Sequence, residues 1–323
     1  MRRHHPKIIA EIGFNHAGDI ELAKRMITAA AVAGADIVKF QTFLASELVL
    51  PKSPHYNLIK QGEMSLEQHQ SLAEFAREKN IDFMSTPFSR RGVDMLEKVG
   101  VNSYKVASMD LTNLYLLEYI AQTGKAIYLS TGMATLSEIS YTMEFLNSYK
   151  NMNVSLLHCI SNYPTKAKDL NLRTIPLLKS IFTVPVGYSD HYPGVKACLN
   201  AAILGADILE THFTLDTSMS GPDHAHSVTK EMLRQLIEDI KSYNEMAGNE
   251  SFFILRKDRS NASSFRRGIY AARSMVEGDI IKSDDLILCR PESEFSTHDF
   301  GWLLGQSVKK PIKKYESLSR DHI

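Results

Sequence analysis

Residues 19–43 read DIELAKRMITAAAVAGADIVKFQTF and contain a helix-length segment followed directly by a strand-length segment. In the first segment Leu22, Met26 and Ile27 recur on one face of a helix, and Gly34 supplies a stop signal. The second segment is a short apolar run with the length of a buried strand. This pairing of one helix with one strand is the unit from which the fold is predicted.

The same alternation of apolar runs and helical segments extends from residue 7 to about residue 247. Eight strand-then-helix units predict an α/β fold, a (β/α)8 TIM barrel, which typically occupies about 250 residues. A doubly wound open sheet is the alternative, because eight alternations do not by themselves close a sheet. The candidate strands are KIIAEIG (7–13), DIVKFQTF (36–43), IDFMSTPF (81–88), NSYKVAS (102–108), KAIYLST (125–131), VSLLHCI (154–160), TVPVGYS (183–189) and ADILETHF (206–213).

The last part of the chain differs in kind from the repeating part. Residues 248–264, GNESFFILRKDRSNASS, are polar and small, and they predict a linker between a barrel domain (1–247) and a small C-terminal domain (265–323). The small domain has strand-like pieces around a predicted turn at residues 277–278. A domain of about 60 residues buries little surface alone, so we expect it to be stabilised by packing against a larger domain or subunit.

The composition excludes several classes of function. Lys plus Arg number 37 and Asp plus Glu number 37, so no net charge attracts nucleic acid or an anionic membrane. No stretch approaches the ~20 apolar residues that span a bilayer, and the N-terminal apolar run is too short for a signal peptide. The widely spaced Cys159, Cys198 and Cys289 are expected to be reduced thiols. These features predict a cytoplasmic protein.

Polar residues fall at the C-terminal ends of all eight predicted strands, which is where TIM-barrel enzymes carry their active sites. Alternate residues of a strand point to the same side, so Lys39 shares a face with Gln41, and Glu210 with His212. We therefore interpret these residues as catalytic or substrate-binding. They include Glu11, Lys39, Gln41, Thr86, Lys105, Ser108, Asp110, Ser130, Ser161, Tyr163, Ser189, His191, Glu210 and His212.

Two histidines suggest a metal site. His191 and His212 follow neighbouring predicted strands, so a barrel brings them together although they lie far apart in sequence. Two imidazoles with a carboxylate such as Glu11 leave coordination positions open, and they suit Mn²⁺ or a similar divalent ion that acts as a Lewis acid. The alternative is that each histidine is a hydrogen-bonded group in the barrel mouth. Their position on adjacent strands favours the metal.

Two lysines suggest an anion site. Lys39 and Lys105 are charged residues within apolar strands, where an unpaired charge costs several kcal/mol. A bound phosphate or carboxylate would compensate both charges. Alternatively, each lysine is paired with a carboxylate of the barrel, such as Asp110 or Glu210. A strand lysine also suits a Schiff-base aldolase, so that chemistry stays open.

Short strings in order along the chain closely resemble the N-acetylneuraminate (sialic acid) synthase family. Within the barrel they are AEIGFNHAGD (10–19), AGADIVKFQTF (33–43), STPFS (85–89), YKVAS (104–108), LSTGM (129–133), HCISNYPT (158–165), GYSDH (187–191) and ETHFT (210–214). The strings of the small domain resemble that family's antifreeze-like, or SAF, domain, which is mostly β. They are FRRGIYAA (265–272), EGDII (277–281), CRP (289–291) and LLGQSVKKPI (303–312).

The resemblance implies roles for the strand-end residues. It implies Mn²⁺, with Mg²⁺ or Co²⁺ as alternatives, held by His191 and His212. Glu11 is expected to carry the proton transfers, with Asp110 as the alternative, and Lys105 is expected to stabilise the departing phosphate. Arg290 is expected to reach the sugar's N-acyl group from the SAF domain of the partner subunit in a domain-swapped homodimer. The substrate-binding residues implied are Lys39, Gln41, Thr86, Ser108, Ser130, Ser161, Tyr163, Ser189, Asp223 and Arg290.

The implied reaction joins phosphoenolpyruvate to an N-acyl hexosamine such as N-acetylmannosamine, and it releases phosphate and N-acetylneuraminate or a relative. Ser161 stands where neuraminate synthases have asparagine, as in many legionaminate- and pseudaminate-type relatives, so a different acceptor sugar is the alternative. The family's N-terminal hairpin is nearly absent, so we expect the barrel bottom to be closed in another way. A catalytically silent barrel that binds sugar acids or a partner protein is a further alternative, against which the retained lysines and histidines argue.

Overall fold

Eight parallel strands pair in chain order and close into a barrel, because β1 pairs with both β2 and β8. The predicted TIM barrel is therefore confirmed and the open sheet is excluded. Seven strands lie within a predicted apolar run, and β7 extends one residue beyond its run, to Asp190. The strands are β1 (Lys7–Glu11), β2 (Ile37–Thr42), β3 (Asp82–Pro87), β4 (Ser103–Val106), β5 (Ala126–Ser130), β6 (Val154–Cys159), β7 (Val186–Asp190) and β8 (Ile208–His212).

The computed structural model describes residues 5–149, 153–248 and 257–323. The chain divides into two units, Met1–Gly248 and Asn249–Ile323. The first unit contains the barrel and the helices that surround it. Its helices are α1 (Ile20–Ala33), α2 (Ala45–Leu48), α3 (Tyr56–Gln61), α4 (Leu66–Glu78), α5 (Arg90–Val99), α6 (Leu114–Ala121), α7 (Leu136–Asn147), α8 (Thr174–Ile181), α9 (Lys196–Ile203) and α10 (Lys230–Ala247).

Local signals in the sequence set the limits of α1. The Asp19 side chain accepts hydrogen bonds from the backbone N–H groups of Glu21 and Leu22 and so caps the first turn. Gly34 ends the helix with a φ of 97°, a left-handed conformation that glycine adopts without steric cost. The chain is thereby turned back into β2, as the opening helix–strand pair predicts.

The connection between β2 and β3 contains two short helices before the main helix α4. The sequence there, residues 44–65, shows no regular period, yet the structure forms two short helices, α2 and α3, before α4 begins. Helix α4 starts at a capping box, in which Ser65 and Gln68 each bond the other's backbone N–H group. The short helices bring apolar side chains toward the barrel mouth.

Apolar side chains from six strands fill the interior of the barrel. They form a buried cluster beneath the polar strand ends: Ile9, Ile37, Met84, Tyr128, Leu157 and Ile208. Gly187 of β7 passes close to this cluster, because a Cβ there would lie 2.7 Å from both Ile208 Cβ and Leu157 Cδ2. Lys7 Nζ donates a hydrogen bond of 3.4 Å to the hydroxyl of Tyr128. The barrel's own side chains thus pack its interior.

The second unit has a separate apolar core. Strands β9 (Gly268–Ala271) and β10 (Leu286–Cys289) form an antiparallel pair, and the short helices α11 (Ala262–Phe265) and α12 (Phe300–Leu303) complete the regular structure. Its buried core residues include Ile269, Met275, Ile281, Leu303 and Ile312. Residues 249–256 of the predicted linker (248–264) lie outside the described residues, and residues 257–264 of it are helical.

Two expectations from composition can be compared with the fold. Cys159, Cys198 and Cys289 are all free thiols, as expected. Among the residues that the structure describes, no helix combines the length and the apolar character that a bilayer crossing requires.

Candidate active site

A cavity of about 470 Å³ opens at the C-terminal ends of the barrel strands. Every one of the eight strands contributes at least one lining residue. Ligand pockets commonly have volumes of about 300–1,000 Å³, so this cavity can hold small-molecule substrates. Its location is the one at which TIM-barrel enzymes carry out their chemistry.

Most of the predicted site residues line this cavity. Glu210, which the sequence suggested both as a strand-end site residue and as a partner of a lysine, lines it as well. The predicted residues that the structure brings together here are Glu11, Lys39, Gln41, Thr86, Lys105, Ser108, Ser130, Ser161, Tyr163, Ser189, His191, His212 and Asp223.

Asp110 and Arg290 are not among the lining residues. Asp110 lies in a short turn after β4, where its Oδ1 accepts a hydrogen bond of 2.9 Å from Asn113 Nδ2 at the start of α6. Of the two carboxyl groups considered for proton transfer, Glu11 is therefore the one that faces the cavity. Arg290 belongs to the second unit, where its guanidinium lies 5.4 Å from the ring centroid of Phe265. Its contact with a sugar stays a prediction.

Lys39 lies between two buried carboxylates. Its Nζ is 2.9 Å from Glu11 Oε2 and 3.6 Å from Glu210 Oε1, and it donates a hydrogen bond of 3.2 Å to Thr86 Oγ1. Gln41 Nε2 donates to the other oxygen of Glu11 at 3.0 Å. Lys39 is therefore paired with barrel carboxylates, as one of its interpretations predicted. The partners are Glu11 and Glu210, and Asp110 is not one of them.

Lys105 is less completely paired than Lys39. Its Nζ lies 3.8 Å from Glu210 Oε1 and donates to the backbone oxygen of Val106 at 3.2 Å. The same carboxylate oxygen accepts a hydrogen bond of 3.1 Å from Ser189 Oγ. Glu210 is therefore shared between the two lysines. The charge of Lys105 is only partly compensated, so Lys105 can bind an anion in the cavity.

Burial and pairing act in opposite directions on these four groups. Burial lowers the pKa of Lys105; for Lys39, the two carboxylates outweigh burial and raise the pKa. Burial raises the pKa of Glu11, whereas the two lysines outweigh burial at Glu210 and lower its pKa. Glu210 therefore stays ionised, and Glu11 is the carboxyl group that takes up a proton more readily.

His191 and His212 lie side by side, as the barrel topology predicts, with ring centroids 5.4 Å apart. His191 Nδ1 is 2.8 Å from the backbone oxygen of Ile160, so it carries the proton and leaves Nε2 with a lone pair. Burial lowers the pKa of His191 to about 4 and also lowers that of His212. Both imidazoles are therefore neutral near pH 7, which is the form that binds metal ions.

A third histidine, not selected from the sequence, lies beside this pair. The His226 ring centroid is 5.2 Å from that of His212. Asp223 lies between the two rings, 3.7 Å from His212 Nδ1 and 3.7 Å from His226 Nε2. The ligand atoms of these three residues lie within 4.8 Å of one another. The available signal was the spacing of Asp223 and His226 in GPDHAHS (221–227), because residues three apart face the same side of a 3₁₀ turn.

The ring of Tyr163 covers the histidines on one side. Its centroid lies 4.0 Å from the ring of His191, 6.1 Å from that of His212 and 6.0 Å from that of His226. The side chain is itself partly open to solvent. Tyr163 is therefore placed where it contacts a ligand of the histidines and limits the approach of water.

Hydroxyl groups line the cavity at the ends of β4 and β5, namely those of Ser108 and Ser130. Ser108 Oγ accepts a hydrogen bond of 3.0 Å from the backbone N–H of Gly132. A Cβ at Gly132 would lie 2.7 Å from Ser108 Oγ, so only glycine fits this close approach. Within the described part of the chain, the buried Ser130 Oγ has no hydrogen-bond partner. These groups can donate to the oxygens of an anion held near Lys105.

The outer part of the cavity is apolar. Side chains from the short helices after β2 and from the segments after β1, β3, β4 and β5 meet there: Phe14, Leu58, Ile59, Phe88, Met109 and Met133. Met109 and Met133 are largely exposed at the mouth. A substrate that carries methyl or acyl groups would bury these surfaces.

The closed barrel, the cavity at its strand ends and the buried charges and imidazoles define a TIM-barrel enzyme. The chain belongs to the NeuB family, whose model matches residues 26–252. The resemblance to sialic acid synthases is thereby confirmed.

Three similar proteins have names that describe related syntheses. N,N'-diacetyllegionaminic acid synthase of Campylobacter jejuni is 37% identical over 96% of this chain and 97% of its own. Pseudaminic acid synthase of Helicobacter pylori is 32% identical over 98% of each chain. The solved N-acetylneuraminic acid (sialic acid) synthetase of Leptospira borgpetersenii, in complex with citrate, has a TM-score of 0.77 and 36% identity over 80% of this chain and 90% of its own.

The pairing of Lys39 predicts a large effect of its removal. Lys39→Met leaves two buried carboxylates without their nearest cation, which typically costs about 3–5 kcal/mol. We expect the free energy of unfolding, measured by urea denaturation, to fall by about that amount. Lys125→Met is the matched control, because Lys125 pairs with Glu97 at the surface, where such pairs contribute about 1 kcal/mol or less. Equal losses for both variants would contradict the role given to the buried network.

Proposed function

We propose that this enzyme is a nonulosonic (sialic) acid synthase of the transferase class, which condenses phosphoenolpyruvate with an N-acyl hexosamine and releases phosphate. The observation that carries the proposal is the cavity in which Lys39 and Lys105 lie opposite a group of neutral histidines. Membership of the NeuB family and the names of the similar synthases support the same reaction.

The lysines and hydroxyl groups bind the phosphoenolpyruvate. Lys105, which is incompletely paired, and Lys39 both line the cavity and face the phosphate or the carboxylate. Thr86, Ser108, Ser130 and Ser189 surround them and supply hydrogen-bond donors. When the phosphate leaves, negative charge accumulates on its oxygens, and preorganised cationic and hydroxyl donors stabilise this charge without reorganisation.

His191 and His212 hold a divalent metal ion, Mn²⁺ in the first instance, with Mg²⁺ or Co²⁺ as alternatives. The residues fit such an ion, because the imidazoles are neutral and His212 Nδ1 is buried without a hydrogen-bond partner in the described chain. When bound, the ion polarises the aldehyde oxygen of the open-chain sugar. Tyr163 and Asp223 border the same space and orient the sugar.

Glu11 carries the proton transfers. The electrons of the C2–C3 double bond of phosphoenolpyruvate form a bond from C3 to the aldehyde carbon, and the aldehyde oxygen takes a proton from Glu11 and becomes a hydroxyl group. Water then adds at C2 and returns one proton to Glu11. The C2–O bond to phosphate breaks, the second proton of the water leaves with the phosphate, and C2 becomes a carbonyl carbon. The raised pKa of Glu11, caused by burial, suits it to accept the proton of the attacking water. Gln41 and Lys39 fix the carboxyl group in place through contacts of 3.0 and 2.9 Å.

The acceptor is an N-acyl hexosamine. N-acetylmannosamine, which would give N-acetylneuraminate, is one candidate, and a diacetamido trideoxyhexose, which would give a legionaminate- or pseudaminate-type product, is the other. The apolar mouth, with Met109 and Met133, favours the sugar with the second acetamido group and the methyl group. Ser161 also lines the cavity, and the 37% identity to a diacetyllegionaminic acid synthase points the same way. Either product would serve surface-glycan assembly.

The second unit is an SAF domain of the antifreeze-like type, and the enzyme is a cytoplasmic domain-swapped homodimer. Arg290 then reaches the N-acyl group of a sugar in the partner's barrel. The proposal rests on the strings of residues 265–312 that resemble this domain.

A dimer is accordingly expected in solution. Light scattering coupled to size exclusion should give twice the chain mass of 36.3 kDa. Arg290→Ala should leave this mass unchanged and raise the KM for the sugar, because it removes only a contact with the N-acyl group. A monomer that turns over at full rate would eliminate the role given to Arg290.

Phosphate release tests the proposed reaction. Release should require phosphoenolpyruvate, a divalent ion and an N-acyl hexosamine together, and a panel of acceptors with product mass identifies the sugar. Lys105→Met should lower kcat by about a hundredfold or more, because it removes charge stabilisation of the leaving phosphate.

The Schiff-base alternative makes the opposite predictions. Such an aldolase reacts with pyruvate itself, is trapped by borohydride on a lysine and resists chelators. If borohydride inactivates the protein only with pyruvate present and chelators have no effect, the synthase assignment is wrong.

A further inference from the structure

His226 lies beside two residues of the cavity wall, His212 and Asp223, and has no role in the reaction proposed above. It ends the short 3₁₀ helix His224–His226, which follows β8 after a loop, and it is buried. Its neighbour His224 points elsewhere, because His224 Nδ1 is hydrogen-bonded to Thr214 Oγ1 at 2.7 Å. His226 Nε2, by contrast, is buried and has no hydrogen-bond partner among the described residues.

His212 also has a buried ring nitrogen without a hydrogen-bond partner among the described residues. This nitrogen is its Nδ1. Asp223 lies 3.7 Å from this nitrogen and 3.7 Å from His226 Nε2. These separations are too long for hydrogen bonds, which have donor–acceptor distances of about 2.7–3.2 Å. Two buried nitrogens thus flank a carboxylate without bonding it directly.

The separations are those expected of ligands that share one ion. Two ligands that each lie about 2.1 Å from a metal are separated by about 3.0 Å at a right angle and by about 4.2 Å when opposite. The two distances of 3.7 Å fall within that range. The ligand atoms of all three residues lie within 4.8 Å of one another. Asp223 and the two imidazoles also supply the oxygen and nitrogen donors that divalent transition metals prefer.

We propose that His212, Asp223 and His226 bind the divalent ion together, so that His226 is a metal ligand in this enzyme and Asp223 contacts the ion in addition to the sugar. The proposal deepens the proposed function, on which the need for a metal rests. His191 lies next to this group, with its ring centroid 5.4 Å from that of His212. Because the site is rich in imidazole, it takes Mn²⁺ or Co²⁺ in preference to Mg²⁺, which favours oxygen ligands.

Metal affinity of the full-length protein tests this assignment without reference to activity. Mn²⁺ and Co²⁺ binding is measured by calorimetry for the unchanged protein, His226→Ala, His226→Gln and His224→Asn. His224→Asn is the matched control, because asparagine can keep the hydrogen bond to Thr214. We expect both His226 variants to bind Mn²⁺ at least about tenfold more weakly, since perturbing even the partners of metal ligands costs about 10–100-fold. The control should bind as the unchanged protein does.

Pulsed electron paramagnetic resonance of bound Mn²⁺ supplies a second readout. The nitrogen modulation of the unchanged protein should decrease in His226→Gln and stay constant in His224→Asn. Thermal unfolding in the absence of metal, equal for His226→Gln and the control, shows that the variant is folded. Unchanged affinity and unchanged nitrogen modulation in folded His226→Gln would overturn the assignment, as would absence of metal binding to the unchanged protein.

The test separates this inference from the proposed function. If the protein binds Mn²⁺ through His226 but releases no phosphate from phosphoenolpyruvate, the metal-site inference is supported and the proposed synthase function is contradicted. If the protein releases phosphate and binds the ion equally well without His226, the proposed synthase function is supported and the assignment of His226 as a metal ligand is contradicted.

Discussion

The contact of Lys39 with Glu11 and Glu210 is the constraint on which the rest of the site depends. Three charged side chains meet inside a barrel, and each is almost completely buried. None of them could be desolvated alone, since an uncompensated buried charge is strongly destabilising. Their register explains how they meet: Glu11 and Lys39 are paired neighbours on β1 and β2, and Glu210 comes from β8 on the other side of β1. Closure of the barrel is therefore what brings both carboxylates to one ammonium group.

Glu210 connects the two halves of the cavity. One of its oxygens faces Lys39, Lys105 and Ser189, and its strand continues two residues later to His212. The anion-binding side and the histidine side are therefore parts of one strand-end surface. In the proposed reaction, an anionic substrate beside the lysines and a sugar beside the histidines would lie next to each other, as a condensation between them requires. The apolar side chains that line the cavity, which include Met109 and Met133, would contact the substituents of the sugar in the proposed reaction.

Much of this arrangement could be predicted from the sequence, because it follows from strand periodicity. Apolar runs of strand length gave the eight strands, and the alternation along a strand places Lys39 with Gln41 and Glu210 with His212 inside the barrel. His226 could not be found in this way, since its position depends on the path of the loop between β8 and α10. The position of Asp110 could not be predicted for a related reason, because it depends on the turn after β4, where Asp110 accepts a hydrogen bond from Asn113. The helices α2 and α3 carry no clear period, so the apolar mouth was missed as well.

A crystal structure of the protein with Mn²⁺ and phosphoenolpyruvate tests the central claim most directly. We expect the phosphate oxygens to lie within hydrogen-bonding distance of Lys105 Nζ, with C3 of the ligand directed toward the histidines. The metal should appear as anomalous scattering beside His212. Continuous density between a lysine nitrogen and C2 of the ligand, or a phosphate bound away from both lysines, would contradict the account.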